Sequence, residues 1–434
     1  MKKQHLLFAT FILAGSLTVS GKTPDTADSL SAQRTLTIDE VVVTGTRHQT
    51  DIRHLSQTVS VVNRKRIEQS MQPSLLPVLT EQVPGLFTTS RGVMGYGVSN
   101  GAAGGISLRG LSGGNARLMV LIDGHPQYAG IFGHPIADAY QTLLADRVEV
   151  LRGPASVLYG SNAMGGVVNI VTRKMHEDGI RTHLHTGYGS YNTLETELTN
   201  RIRKGRFSSV ISGSYNRTDG HRADMGFEQY GGYAKLGYDF NAAWKVWGDV
   251  NITRFKASNP GETDNPYIDN DSRITRGMAS FALENHYEKS SGALSFFYNW
   301  GRHKINDGYH PGGTPQESHF NSKDRMLGVS WYQSATLFTG NRLTMGFDYQ
   351  HFGGESWNRV VATGERIPGA DKQMDEFAGY VDFRQDLGEW LSLDAGIRVD
   401  HHSHVGTEWI PQGGLSFLLA RTGGNEGDGK QGLP

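Results

Sequence analysis

The sequence predicts a mainly β protein: a small mixed α/β domain followed by antiparallel transmembrane β-barrel strands. Three observations lead there. Beyond residue 175 the apolar pattern has period two over stretches of about 9–12 residues, the length of a tilted membrane strand. Leu391, Leu393, Ala395, Ile397 and Val399 share one face, and Ser392, Asp394, Gly396, Arg398 and Asp400 share the other. Leu294, Phe296, Tyr298 and Trp300 repeat the pattern, as do Leu343, Met345, Phe347 and Tyr349. Second, the connections alternate. Tight turns at Lys204-Gly205, Asn241–Ala243, Glu288–Ser290, Thr339-Gly340 and Asp386–Glu389 interleave with long polar loops at Thr218–Glu228, Lys256–Thr275, His303–Asp324 and Gly353–Gln373. Short turns on one side and long loops on the other distinguish a membrane barrel from a soluble sandwich of similar alternation. Third, 56 Gly, 17 Tyr, 18 Phe and 7 Trp among 434 residues suit many amphipathic strands better than helices.

The segments follow in order. Lys2 and Lys3 precede the apolar run Leu6–Leu17, too short to span a bilayer and typical of a secretory signal ending near residue 20. Residues 21–37 read as a polar linker. Gly21-Lys22-Thr23 imitates a phosphate loop, but Ser16 stands where that loop needs a Gly. In residues 38–46 the β-prone run Val41, Val42, Val43 follows Asp39 and Glu40, so a short extended segment on a tether could add itself to a partner's sheet edge. Residues 47–175 form the mixed domain. Thr58–Val62 is a strand, Asn63 can cap a helix, and Leu75–Gln82 is a second helix ended by Pro84-Gly85. Leu118–Ile122 is an apolar strand stopped by the hairpin signal Asp123-Gly124. Val148–Leu151 and Val167–Val171 are further strands, with Gly153-Pro154 and Gly165-Gly166 at turns. Strands run through residues 176–420, and alternation stops in the tail, residues 421–434.

Residues 145–174 (ADRVEVLRGPASVLYGSNAMGGVVNIVTRK) resemble the closing segment of the plug domain of TonB-dependent outer-membrane receptors. ISLRGLSGGNARLMVLIDGHPQ (Ile106–Gln127) resembles the centre of that plug, and IDEVVVTGTR (Ile38–Arg47) the TonB box. The resemblance implies that Asp39, Glu40, Val41, Val42, Val43, Thr44 and Gly45 are grasped by TonB, which transmits force from its inner-membrane energising complex. It assigns Arg109, Gly110, Asp123, Gly124, Glu149, Arg152, Gly153, Tyr159 and Gly160 structural roles in the plug. Arg109, Arg117, Asp123, Arg147, Glu149 and Arg152 are then expected as plug–barrel ion pairs, since an enclosed charge needs a partner. The family builds twenty-two strands, whereas about twelve are legible here. Twelve strands close to a barrel about 24 Å across, and a plug of ~130 residues needs roughly 36 Å. The expectation is therefore a truncated receptor, its barrel incomplete and its last residues Leu433-Pro434 unlike the family's aromatic terminal signal.

Ligand binding in this family falls to the plug apices and outer loops, which implies Ser90–Gly105 and His125–Tyr140 here. His125, Tyr128, Phe132, His134 and Tyr140, with His303, Tyr309 and His310, are the candidates, and His319, His401, His402 and His404 lie in further loops. Imidazoles among aromatic rings would suit haem, while a ferric siderophore and cobalamin stay open. The implied function is active uptake of a metal-bearing small molecule by a monomer in the outer membrane, exported by its signal, with outer-membrane lipid around it. No resident cofactor is expected. A net charge of −1 offers no basic field for nucleic acid. Zero Cys excludes thiolate sites. His183-x-His185 could chelate a metal from one strand face, but no HExxH helix or nucleophile elbow accompanies it, so no enzyme is expected. A passive porin and a non-functional receptor remnant are the alternatives.

Overall fold

The computed structural model describes residues 41–42, 50–51, 55–70, 72–88, 94–95, 106–112, 118–127, 130, 136–388 and 390–417. The expected signal, the linker, most of the TonB-box segment, the plug apices around 96–105 and 131–135, Arg117 and the tail lie outside them. The element order begins with β1 (Val41–Val42) and β2 (Thr50–Asp51), paired antiparallel. Then come β3 (Thr58–Asn63), α1 (Arg64–Gln69), α2 (Leu75–Gln82), β4 (Leu86–Thr88), β5 (Ile106–Leu108), β6 (Leu111–Ser112), β7 (Leu118–Ile122) and β8 (His125–Pro126). The small domain ends with β9 (Ala145–Arg152), α3 (Ser156–Tyr159) and β10 (Gly166–Thr172).

Its local structure follows from identifiable residues. The Asn63 side chain accepts from the Arg66 N–H at 3.1 Å and starts α1. The five-stranded sheet runs β3-β9-β10-β7-β8, with β10 and β7 parallel and the other pairs antiparallel. A strand buried on both faces needs a continuous apolar run, and Leu118–Ile122 is buried at all five positions. Leu75, Leu76, Val78 and Leu79 of α2 join that core.

Twelve strands follow, as the alternation predicts: β11 (Gly179–Gly189), β12 (Thr193–Lys204), β13 (Phe207–Thr218), β14 (Phe227–Asp239), β15 (Trp244–Ser258) and β16 (Ile268–His286). The remainder are β17 (Ser290–Tyr309), β18 (Ser318–Ala335), β19 (Asn341–Val360), β20 (Arg366–Leu387), β21 (Leu391–His402) and β22 (Gly406–Phe417). They form one antiparallel sheet in sequence order, with β11 and β22 as its edges. Its outward face is apolar: Phe281, Phe296, Leu327, Phe347 and Phe377 are 43–49% exposed. The inward face is polar, and Ser280, Asn299, Asp324, Asp348 and Arg398 are buried against the small domain or beside it.

The structure corrects two expectations. Strands are 11 to 22 residues long rather than 9–12. The loop expected at Thr218–Glu228 remains one, residues 219–226, but the other three are mostly strand, so their connections shrink to residues 259–267, 310–317 and 361–365. Above the apolar belt each strand still has a neighbour to satisfy its backbone, so pairing continues although alternation in hydrophobicity has ended.

Candidate functional site

The contacts between the small domain and the sheet form two tiers. In the lower tier, Asp123 and Gly124 close the β7–β8 hairpin with φ of 47° and 84°. The Asp123 carboxylate accepts from the Thr172 N–H at 2.9 Å and from its hydroxyl at 2.6 Å. Lys235 of β14 reaches it at 2.6 Å and sits 3.7 Å over the Trp247 ring. Burial opposes ionisation of Asp123, but the Lys235 cation and these hydrogen bonds win and hold its carboxyl well below the usual range. His125, two residues on, is 4% exposed and packs between Trp247 and Phe297, with ring centroids 5.9 and 5.4 Å away. Asn299 donates to the Pro126 carbonyl at 2.7 Å. Asp123, His125, Lys174, Trp244 and Glu284 line a cavity of about 960 Å³ between domain and sheet.

The upper tier holds the two ends of the segment 131–135. The Gly130 N–H donates to Asp324 of β18 at 3.1 Å. Asp324 also takes both its oxygens to Arg276 of β16 at 2.6 and 2.7 Å, and His303 lies 3.8 Å away. Only Gly fits at 130, because a Cβ would meet the Gly353 and Arg325 carbonyls at 2.6 and 2.8 Å. On the far side, Gln229 donates to the Asp138 carbonyl at 2.7 Å, and Met94 and Ile136 pack on Phe227, Phe255 and Ile274. Tyr140 is buried and donates to the Gln127 carbonyl at 3.0 Å, and its burial raises the phenol's pKa.

The candidate ligand residues therefore separate. His125 and Tyr140 are packed inside, and His303 is a buried strand residue rather than a loop residue, since β17 runs on to Tyr309. Tyr309 and His310 stand at the open end, where His310 stacks on Tyr267 at 4.3 Å. His401 and His402 end β21 and only His404 is in the turn. Tyr128, Phe132 and His134 lie outside the described residues. Among the described residues no group of three or more His, Cys, Asp or Glu is arranged to hold a metal ion.

The expected plug–barrel ion pairs need a similar correction. Of the charges named from sequence, Asp123 pairs with the sheet, through Lys235. Arg147 and Glu149 pair with each other at 2.7 Å. Arg109 donates to the Arg152 carbonyl at 3.3 Å, and Arg152 to the Pro84 carbonyl at 3.4 Å, both within the small domain. The further cross-links are ones sequence reasoning missed. Arg173 reaches Glu197 at 3.1 Å and Thr199 at 3.0 Å, while Arg64 lies 3.8 Å from Glu197. Within the sheet itself, Arg398 is held by Asp348 at 2.8 Å and Asp400 at 2.5 Å. Near it lie Gly160 and the buried Tyr159, which ends α3. The available signal was strand parity, which puts Lys235, Arg276, Asp324 and Arg398 on the polar face. Gly110 and Gly153 take positive φ at turns.

The chain matches the family model for the TonB-dependent receptor plug domain over residues 51–167 and the TonB-dependent receptor-like β-barrel over 206–422. Among solved structures it is similar to Pseudomonas aeruginosa FpvA bound to heterologous pyoverdines, at 15% identity and a TM-score of 0.70, covering 88% of this chain and 57% of that one. It is also similar to the alcaligin outer-membrane receptor FauA of Bordetella pertussis, at 17% identity and 0.68, covering 88% and 64%. The copper transporter OprC is similar at 15% identity and 0.66, covering 82% and 59%. The chain thus spans less than two thirds of the length of each of these structures.

Proposed function

The chain belongs to the TonB-dependent receptor family, and from that premise we propose that it serves active uptake of an iron chelate across the outer membrane. The observation that carries this reading is the form of the plug–barrel contact. It is built from separate polar links at Asp123–Lys235, Gly130–Asp324 and Arg173–Glu197, with a cavity of about 960 Å³ beside Asp123. Separating a buried ion pair costs about 3–5 kcal/mol. A plug so held stays shut thermally yet can be displaced by an applied force, which is the role of TonB acting on Asp39–Gly45. Only Val41 and Val42 of that segment are described, and they pair with just two residues. Such a pairing is easily exchanged for a partner's edge.

The ligand is best read as a ferric siderophore. Of the histidines on which the haem reading drew, His125 is occupied in packing and His303 lies beside an ion pair. The solved structures similar to this chain include receptors named for pyoverdine and alcaligin. The plug segments flanking 131–135 and the open-end residues Tyr309 and His310 would form the site, and no bond of the ligand is made or broken.

The test supplies cells lacking their own receptors with ferric pyoverdine, ferric alcaligin, ferric citrate, haem or cobalamin. One ferric siderophore is expected to bind at the surface and accumulate inside. Deleting residues 39–45 should abolish accumulation and leave binding unchanged. Accumulation that survives this deletion, or survives collapse of the inner-membrane proton gradient, would favour a passive porin.

A further inference from the structure

The cavity beside Asp123 belongs to the short-turn end. Asn241, Ala242 and Ala243, the turn between β14 and β15, line it, as do His286 and Ser291 where β16 gives way to β17. None of its lining residues lies in the connections 219–226, 259–267, 310–317 or 361–365. A second cavity of about 300 Å³ adjoins it, sharing Lys174, His176, Lys245 and Trp247. A molecule held here has therefore passed the upper tier already, or has entered from the short-turn side.

The charges of this space divide unevenly between plug and wall. The sheet and the link before β11 supply Lys174, Lys245 and Arg342, and Lys235 stands at the edge over Trp247. Lys245 is bound to Glu284 at 2.7 Å, and the other wall carboxylate, Asp239, to Arg203 at 2.5 Å. Lys174 is exposed to the cavity and has no carboxylate within ion-pair distance among the described residues. Arg342 has none either, and donates to the hydroxyls of Ser291 and Thr336 at 2.8 and 3.2 Å. The remaining acids, Asp123 and Asp146, belong to the plug. Drawing the plug aside removes both and strips Lys235 of its anion. Lys174 stays behind, because Arg173 beside it is anchored to Glu197 and Thr199 of β12. A buried cation left without a partner is costly, so the opened space favours an anion.

We propose that this space is a second, exit-side site for an anionic ferric chelate. Its acid groups lie on Lys174 and Arg342, its body lies against Trp247 and Tyr332, and Lys235 joins once Asp123 has left. Ammonium and guanidinium donors make charge-assisted hydrogen bonds to such groups, and about 960 Å³ holds a drug-sized ligand. The exit role rests on the uptake reading, whereas the site itself needs neither TonB nor a membrane.

The full chain, purified in detergent, is dialysed against iron-labelled ferric citrate, with a cationic ferric trihydroxamate for comparison. Ferric citrate should fill a site that Lys174→Gln with Arg342→Gln weakens at least about tenfold. Lys174→Arg should retain it, and Lys204→Gln with Arg206→Gln, exposed at the β12–β13 turn, should leave it unchanged. Indifference to the Lys174 and Arg342 changes, equal binding of the cationic chelate, or displacement by equimolar phosphate overturns the site. Should siderophore uptake proceed while this binding fails, the exit-side site alone is lost. Should the binding hold while no chelate accumulates in cells, the uptake reading falls and the exit role with it.

Discussion

At Asp123 a turn, a strand end and a barrel cation meet within 3 Å. Replacing it by Asn keeps the shape but removes the anion paired with the buried Lys235, so Asp123→Asn should cost about 3–5 kcal/mol. Urea unfolding followed by tryptophan fluorescence would read this, and an unchanged midpoint would show that the pair adds nothing. The pH dependence has a definite sign. The folded carboxyl is held below its unfolded value of about 3.9, so its contribution is complete above that pH. It is lost as pH falls through the folded value, and the Asn variant should show no such acid-side loss from this site. Gly124 and Asp123 were readable as a hairpin from sequence, because a turn is local. The partner Lys235 was not, because 112 residues separate the two and nothing in the chain pairs them in advance.

Strand faces decide the energetics at the scale of the element. In β17 the even positions face the bilayer and the odd positions face inward, so Phe296 is 45% exposed and Phe297 is 4% exposed. Phe296→Arg should destabilise the inserted chain by about 2–4 kcal/mol, while Ile268→Arg, at the long-connection end, should cost about 0–1 kcal/mol. Equilibrium unfolding from lipid vesicles distinguishes them, and equal costs would mean that β17 does not cross the membrane. This alternation was legible because side chains point to opposite faces at period two. Strand length was not. Hydrophobicity marks only the part of a strand inside the lipid, and the paired extensions of β16–β20 beyond it are polar on both faces. That is why His303 read as a loop residue and is in fact buried in a strand.

For the molecule as a whole, the order of strands has a direct test in a chain with no Cys. Tyr298→Cys with Leu327→Cys, opposite one another on β17 and β18, should form a disulfide on mild oxidation. Leu184→Cys with Ile410→Cys, on the edge strands β11 and β22, should not. A cross-link in the second pair would show the sheet closing on itself. The sequence by itself determined the class of fold, the twelve strands, the helix at Leu75–Gln82 and the family, since each is written in local periodicity or in a contiguous motif. Only the tertiary structure decided which charges bind plug to wall and which histidines are still exposed. It also brought Lys174, Lys245 and Arg342 to one cavity. Those outcomes depend on residues brought together by strand register, which chain order alone does not specify.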